Sequence, residues 1–243
     1  MEKRKAIKIN SGNTKMVAHR GLSGLETENT CPAFVAAANR EEYFGIETDT
    51  HQTADGVFVT IHDRTTGRVA VEDIDVEQSD FAKVRSVQLH FKDGTERIDM
   101  RIPTLEEYLT ICAAYGKVPV LELKQTFSPE ATRFMVEMCE RIVGLDNIIF
   151  ISFHFEALVR VREASKDTTV QFLTNNPIDE ELIARLKEHD FDLDIYYPCL
   201  TKEWVDRLHA EGIVINCWTC DDAEKAEELV SWGVDQITSN ILY

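Results

Sequence analysis

The chain has 243 residues, 44% hydrophobic and 28% charged, which provides for a buried core and rules out a disordered or collagen-like polymer. Its 43 acidic against 26 basic residues give a formal net charge of −17, a balance that repels nucleic acid and anionic membrane and leaves no basic stripe for either. No apolar run approaches the roughly 18 residues of a membrane span, and the opening MEKRKAIKINSGNTK leads into no apolar leader block. A soluble, cytoplasmic protein without integral membrane contact is therefore expected.

In chain order, MVAH (16–19) reads as a first strand, Pro32 to Glu42 as a first helix and GIETDT (45–50) as a second strand. GVFVTIHD (56–63) follows too closely for a parallel crossover, so it is predicted to fold back as an antiparallel hairpin about Asp55-Gly56. Residues 64–101 are acid-rich and irregular, with an acidic helix expected over 72–80, and are predicted to form an inserted lobe over one barrel mouth. Pro103-Thr104-Leu105-Glu106-Glu107 then starts a helix. Further strands are expected in KVPVLELK (117–124), NIIFISF (147–153), TVQFLT (169–174), LDIYYP (193–198), IVINCWT (213–219) and DQITSN (235–240). Between them, Ser128-Pro129 and Gly144, Thr201 and Gly212, and Asp221 and Gly233 mark helix starts and stops. Eight parallel strands alternating with helices, without a G-x-G-x-x-G fingerprint, predict an α/β chain: one (β/α)8 TIM barrel domain over 1–243, with the lobe after its second strand. The six cysteines form no tight framework and are expected to be reduced; Cys217 and Cys220 end a strand rather than open a helix and read as structural thiols.

In such a barrel, chemistry gathers at the C-terminal ends of the strands. Glu47 and Asp49, two apart on one strand, share a face, and Glu122 and Lys124 repeat the spacing on another. Three carboxylates converging at one mouth repel unless a cation lies among them, and hard oxygen donors suit Mg²⁺ or Ca²⁺ better than zinc. A two-residue Asp55-Gly56 turn would set His62 opposite Asp49 and close to Glu47, while His19 reaches the same mouth from the first strand. Two histidines beside a divalent cation are suited to general acid and general base work near neutral pH. His51 and His154, though near strand ends, are assigned to the surface with the other three. Trp218 either walls the substrate or packs in the mouth.

Ala18-His19-Arg20-Gly21, Glu28-Asn29-Thr30, Ala33-Phe34, Gly45-Ile46-Glu47-Thr48-Asp49, Asp55-Gly56, His62-Asp63, Pro103 to Glu107, Glu122-Leu123-Lys124, Ser152-Phe153 and Trp218-Thr219 occur in an order that resembles the glycerophosphodiester phosphodiesterase family. The resemblance runs from residue 18 to near the C-terminus. It implies a (β/α)8 barrel, one divalent cation (Mg²⁺ or Ca²⁺) and hydrolysis of small glycerophosphodiesters to sn-glycerol 3-phosphate and an alcohol. Residue by residue it implies metal ligation by Glu47, Asp49 and Glu122, acid/base chemistry by His19 and His62, phosphate contacts from Arg20 and Lys124, and a site lined by Glu28, Asn29 and Trp218. The chain departs from the family pattern at Thr27, where Pro is common, at Gln236, where Gly is usual, and at Ser239-Asn240, where Thr-Asp is usual. The last pair is expected to alter barrel closure or headgroup fit while leaving the metal and acid/base positions in place.

Two rival functions are testable. A lysophospholipase D-like enzyme would use similar groups on a lipid, but the charged 64–101 lobe makes a poor apolar lid. A noncatalytic glycerophosphate-binding barrel would bind tightly without turnover.

Overall fold

The computed structural model describes residues 5–91, 97 and 99–243. The first four residues of the basic opening, and 92–96 and 98 of the predicted lobe, lie outside the described residues. Among the described residues nine strands form: β1 (Lys15–Ala18), β2 (Tyr43–Gln52), β3 (Phe58–Thr60), β4 (Val118–Leu123), β5 (Ile149–Ser152), β6 (Thr169–Thr174), β7 (Asp192–Tyr196), β8 (Ile215–Trp218) and β9 (Gln236–Ser239). All but β3 are the eight expected parallel strands. They pair in the order β1, β2, β4 to β9, and β9 returns to β1 with Val17 opposite Thr238, which closes a (β/α)8 barrel.

The helices are α1 (Cys31–Ala38), α2 (Phe81–Ser86), α3 (Leu105–Tyr115), α4 (Pro129–Val143), α5 (Phe155–Ala164), α6 (Glu180–His189), α7 (Lys202–Ala210) and α8 (Ala223–Trp232). All except α2 connect successive barrel strands. Their starts are set by side-chain caps: Thr30, Ser128, Thr201 and Asp222 each accept from a backbone N–H three residues on. In the Pro103 to Glu107 motif, Thr104 Oγ1 accepts from Glu107 N at 3.1 Å and Glu107 Oε2 accepts from Thr104 N at 2.8 Å. This reciprocal cap contributes about 1 kcal/mol. The α8 cap is Asp222 rather than the expected Asp221, whose carboxylate is taken instead by Ser239 and Asn240.

Strand alternation sorts the barrel into two apolar regions. Outward residues such as Ile46, Leu121, Phe150, Leu193 and Ile237 pack under the helices, where Phe34 meets Tyr108 edge-on at 4.9 Å. Inward residues Val17, Val120, Ile149, Ile151 and Leu173 fill the barrel interior. Above that plug, inward positions turn polar, and the working end of the molecule begins there.

The hairpin forms, but one residue out of the expected register. Thr50 pairs with Thr60 and His51 with Val59, and Thr53 N donates to Val57 O, so three residues rather than two make the loop. The cause is Gly56, whose φ of +90° supplies the left-handed position of a three-residue hairpin loop. Beyond β3 the chain enters the lobe, whose own core includes Val59, Ile61, Val76, Val84, Leu89 and Met100. Its expected acidic helix is only a 3-10 turn, Val76–Gln78: the Asp75 side chain caps that turn, and Arg64 pairs with Asp75 and Glu77. Val71 stands exposed on the lobe, and Arg68 reaches from it to Glu28 and Asp63.

Candidate active site

Glu47 and Asp49 project inward from β2 and Glu122 from β4, where Asp49 stands directly opposite Glu122 in the parallel register. Each offers a carboxylate oxygen, and the three oxygens lie within 4.8 Å of one another, all buried. Burial, and then the charge of Asp49, push the Glu122 carboxyl up to about 7. Glu47 is driven well above the carboxylate range for the same two reasons. Burial alone would raise Asp49 as well, but Arg20, Lys124, His62 and the Asn29 bond hold it well below. Asp49 Oδ1 has no hydrogen-bond partner, although Lys124 Nζ stands 3.4 Å away. A buried set of hard oxygens, short of positive charge and with an oxygen unmet, fits a divalent cation of the Mg²⁺ or Ca²⁺ type.

The β1 turn aims the cationic groups at this cluster. Arg20 takes a left-handed conformation (φ +54°) and Gly21 follows at φ +75°. A Cβ on Gly21 would lie 2.6 Å from the carbonyl carbon of Ala33, so the chain can reverse there only at glycine. Arg20 N donates to Glu47 Oε2 at 2.7 Å, while its guanidinium lies 3.2 Å from Asp49 and donates to Glu28 at 2.9 Å. Asn29, also left-handed, donates to Asp49 Oδ2 and accepts from Thr48 Oγ1, both at 2.7 Å. Lys124 Nζ donates to Glu122 at 2.8 Å.

Both imidazoles are oriented through Nδ1. His62 Nδ1 faces Asp63 Oδ1 at 2.6 Å; the carboxylate can only accept, so Nδ1 carries the proton and Nε2 is left for other work. Arg68 braces this pair by binding both Asp63 and Glu28. His19 Nδ1 faces Asn240 Oδ1 at 2.7 Å. Asn240 Nδ2 donates to Asp221 at 2.6 Å and Ser23 Oγ donates to Asn240 Oδ1, which fixes the amide and hence the His19 tautomer. His19 Nε2 is then free, 4.0 Å from Glu47. Burial, followed by Arg20, lowers His19 to about 4. His62 is lowered by burial too, with Asp49 and Asp63 working against that shift.

A cleft of about 420 Å³ opens over these groups, lined by His19, Arg20, Glu47, His62, Glu122 and Trp218 among others. Lys124 reaches it through Glu122 and Asp49. Glu28 and Asn29 stand behind Arg20 and Asp49, lining a smaller neighbouring pocket with His62. The register shift places Ile61, not His62, beside Asp49, with Ile61 N donating to Asp49 O. His62 joins the site from the bend after β3 instead.

Several contributors escaped the sequence reading. Asn240 orients His19. His51, expected at the surface, is buried, and its ring meets Glu77 and the carbonyl of His62. Phe153 and Tyr196 flank Trp218 with ring centroids 5.5 Å away and are about 40% exposed at the rim. Trp218 packs in the mouth against these two rings and its side chain lines the cleft. Exposed aromatics at strand ends were the signal available for this trio.

A buried acidic cluster lies between two imidazoles at the C-terminal mouth of a (β/α)8 barrel, and the class that the chain's relatives define is that of the phosphoric diester hydrolases. The chain belongs to the glycerophosphoryl diester phosphodiesterase family, whose model matches residues 19–241. It is 26% identical over 229 residues to a glycerophosphodiester phosphodiesterase of Caldanaerobacter subterraneus subsp. tengcongensis, covering 93% of this chain and 94% of that one. The fold is similar to that of an Oleispira antarctica phosphodiesterase solved with its product sn-glycerol-3-phosphate (TM-score 0.87, 24% identity, 96% of each chain). A Parabacteroides distasonis glycerophosphodiester phosphodiesterase superposes with a TM-score of 0.77 at 28% identity, over 98% of this chain and 94% of that one.

Proposed function

We propose that this chain, barrel and lobe acting as one unit, hydrolyses water-soluble glycerophosphodiesters to sn-glycerol 3-phosphate and an alcohol in the cytoplasm. The observation that carries this reading is the three-carboxylate cluster set between two imidazoles that both keep Nε2 free. Glu47, Asp49 and Glu122 would hold Mg²⁺ or Ca²⁺, which when bound neutralises charge on the nonbridging phosphate oxygens. Arg20 and Lys124 add fixed positive charge around the same phosphate. The free Nε2 of His19, kept unprotonated by burial, takes the proton of the substrate's glycerol 2-hydroxyl as that oxygen attacks phosphorus. His62, whose protonated form Asp63 supports, gives a proton to the departing alcohol oxygen. The cyclic phosphate so formed is opened by water with roles exchanged: His62 takes the water proton and His19 returns its own to the 2-oxygen. Asn29 and Glu28 hold Asp49 and Arg20 in place, and Trp218 gives the glycerol carbons an apolar wall.

The test is release of glycerol 3-phosphate from glycerophosphocholine, followed by a coupled assay with added Mg²⁺ or Ca²⁺. Turnover supports the reading; tight binding of glycerol 3-phosphate without turnover supports a binding barrel. Hydrolysis of lysophosphatidylcholine in preference to glycerophosphocholine would favour a lipid enzyme. No helix among the described residues is long and apolar enough to cross a membrane.

Asn240 offers a finer check on the His19 assignment. Asn240→Leu removes the acceptor that pins Nδ1, and a ring free to rotate loses alignment, so kcat is expected to fall by on the order of 10²-fold. KM should stay nearly constant, because the amide is absent from the cleft lining. Steady-state kinetics separate the two parameters, and an unchanged kcat would refute the positioning role.

A further inference from the structure

Asp194 projects inward from β7, in register with Leu173 of β6 and Asn216 of β8, and lines the same cleft as the two imidazoles. It is 1% exposed, yet its Oδ1 has no hydrogen-bond partner. The polar groups around it are committed to one another. Asn216 Nδ2 donates to Gln171 at 3.5 Å, Gln171 Nε2 to Gln236 at 3.4 Å, and Thr238 Oγ1 to Asn216 at 3.2 Å. Burial, and then the charge of Glu122, push the Asp194 carboxyl well above the ordinary range. A carboxyl in that state offers both an O–H donor and a carbonyl acceptor. Trp218 Nε1, also buried and without a partner, belongs to a residue lining the same cleft. Leaving such groups unmet destabilises the fold, a cost that a ligand bringing its own polar atom would remove.

We propose that Asp194 is a specificity-determining residue of this cleft, its free carboxyl oxygen receiving the terminal hydroxyl of the substrate's glyceryl group. The inference rests on the phosphodiesterase reading above, in which the 2-hydroxyl is occupied in the displacement and the terminal hydroxyl remains to be recognised. The Asp194 carboxyl can accept from that hydroxyl and donate to it. Trp218 Nε1 supplies a second donor, and Ile151 and Leu173, also in the cleft lining, receive the carbon chain. Asp194 lies outside the Glu47, Asp49 and Glu122 cluster, so it adds recognition rather than a fourth ligand. A site built to hydrogen-bond a hydroxyl rejects the analogue that lacks it far more strongly than an apolar pocket rejects a missing methylene.

The test compares glycerophosphocholine with 2-hydroxypropyl phosphocholine, which keeps the 2-hydroxyl and lacks only the terminal one. The wild-type chain is expected to prefer glycerophosphocholine by at least about 10-fold in kcat/KM. In Asp194→Ala that preference collapses to within about 3-fold, through loss of kcat/KM on glycerophosphocholine, and Asp194→Asn, which keeps the carbonyl and the shape, falls between. Thermal melts add a readout that a structural role would move the other way. Removing an unsatisfied buried carboxyl leaves Tm level or raises it, whereas loss of a structural hydrogen bond lowers it in both variants. A preference that survives in both variants, or a wild type that hydrolyses both compounds without preference, overturns the inference alone. A wild type that hydrolyses neither overturns the phosphodiesterase reading and this inference together.

Discussion

Glu122→Gln is expected to bind Mg²⁺ or Ca²⁺ at least on the order of 10²-fold more weakly than the native chain and to lose activity in proportion, as the native chain does in EDTA until either cation is restored. The amide keeps the shape of the side chain but removes one of three charges from a buried cluster. The same cluster makes a prediction about stability that needs no turnover. The folded-state value for Glu122 is about 7, above the 4.3 of an unfolded chain. Ionising it therefore disfavours the folded state: the cost is absent below about pH 4, grows between the two values and is complete above about pH 7. His19, lowered to about 4, works the other way below about pH 6.5, so the Glu122 contribution is read as the difference from Glu122→Gln: without cation, the native Tm should drop relative to the variant between pH 5 and pH 8, by roughly 4–8 °C if the effect is about 2 kcal/mol. Saturating cation should remove that difference, because the bound ion favours the ionised acids. Titration calorimetry and melts across this pH range decide it. Equal cation affinity in the variant, or parallel Tm curves, would remove Glu122 from the proposed ligand set.

How legible this site was depends on what spacing can encode. Glu47 with Asp49, and Glu122 with Lys124, are two apart on strands, and a period of two puts them on one face whatever the rest of the barrel does. His62 was found for an incomplete reason. The hairpin it sits on was readable from Asp55-Gly56, but a dipeptide does not state whether its loop has two residues or three, and one residue inverts the facing of everything beyond it. The ring still reaches the cluster because β3 ends at Thr60 and the following bend re-aims it. Asn240 and Asp221 lie 221 and 202 residues from His19, and only barrel closure between β1 and β9 brings them together, so no local pattern could pair them. The departure at Ser239-Asn240 was read only for barrel closure or headgroup fit, and the hydrogen bond between Asn240 Oδ1 and His19 Nδ1 adds a role that the sequence did not suggest. Asp194 was overlooked for the opposite reason: in LDIYYP an acid looks like the outward half of an alternating strand, and only the register of β7 shows that it faces in. The helix starts were the most readable parts, since caps are settled within three residues, and even there Asp221 and Asp222 were confused because either carboxylate could reach a free N–H.

His19→Ala and His62→Ala are each expected to lower kcat by about 10²–10⁴-fold, the range of a general acid or base, while far-UV circular dichroism stays native. The two losses should differ in how they can be repaired. The His62 side chain is 31% exposed at the rim against 17% for His19, and its removal leaves a gap open to solvent beside Asp63 and Arg68. Added imidazole can enter that gap, so His62→Ala should regain activity with millimolar imidazole in a concentration-dependent way. The His19 ring is enclosed by Asn240 on one side and Glu47 on the other, and a free imidazole would need to find both the Asn240 acceptor and the correct tautomer. Rescue of His19→Ala should therefore be at least several-fold weaker, and weaker still when Asn240→Leu is added. Substrates carrying a good leaving group provide the last discrimination. A p-nitrophenyl ester of glycerol phosphate departs without needing a proton, so it should restore much of the loss in His62→Ala and little of that in His19→Ala. The reverse pattern would exchange the acid and base assignments, and near-native activity in either alanine variant would take that histidine out of the mechanism.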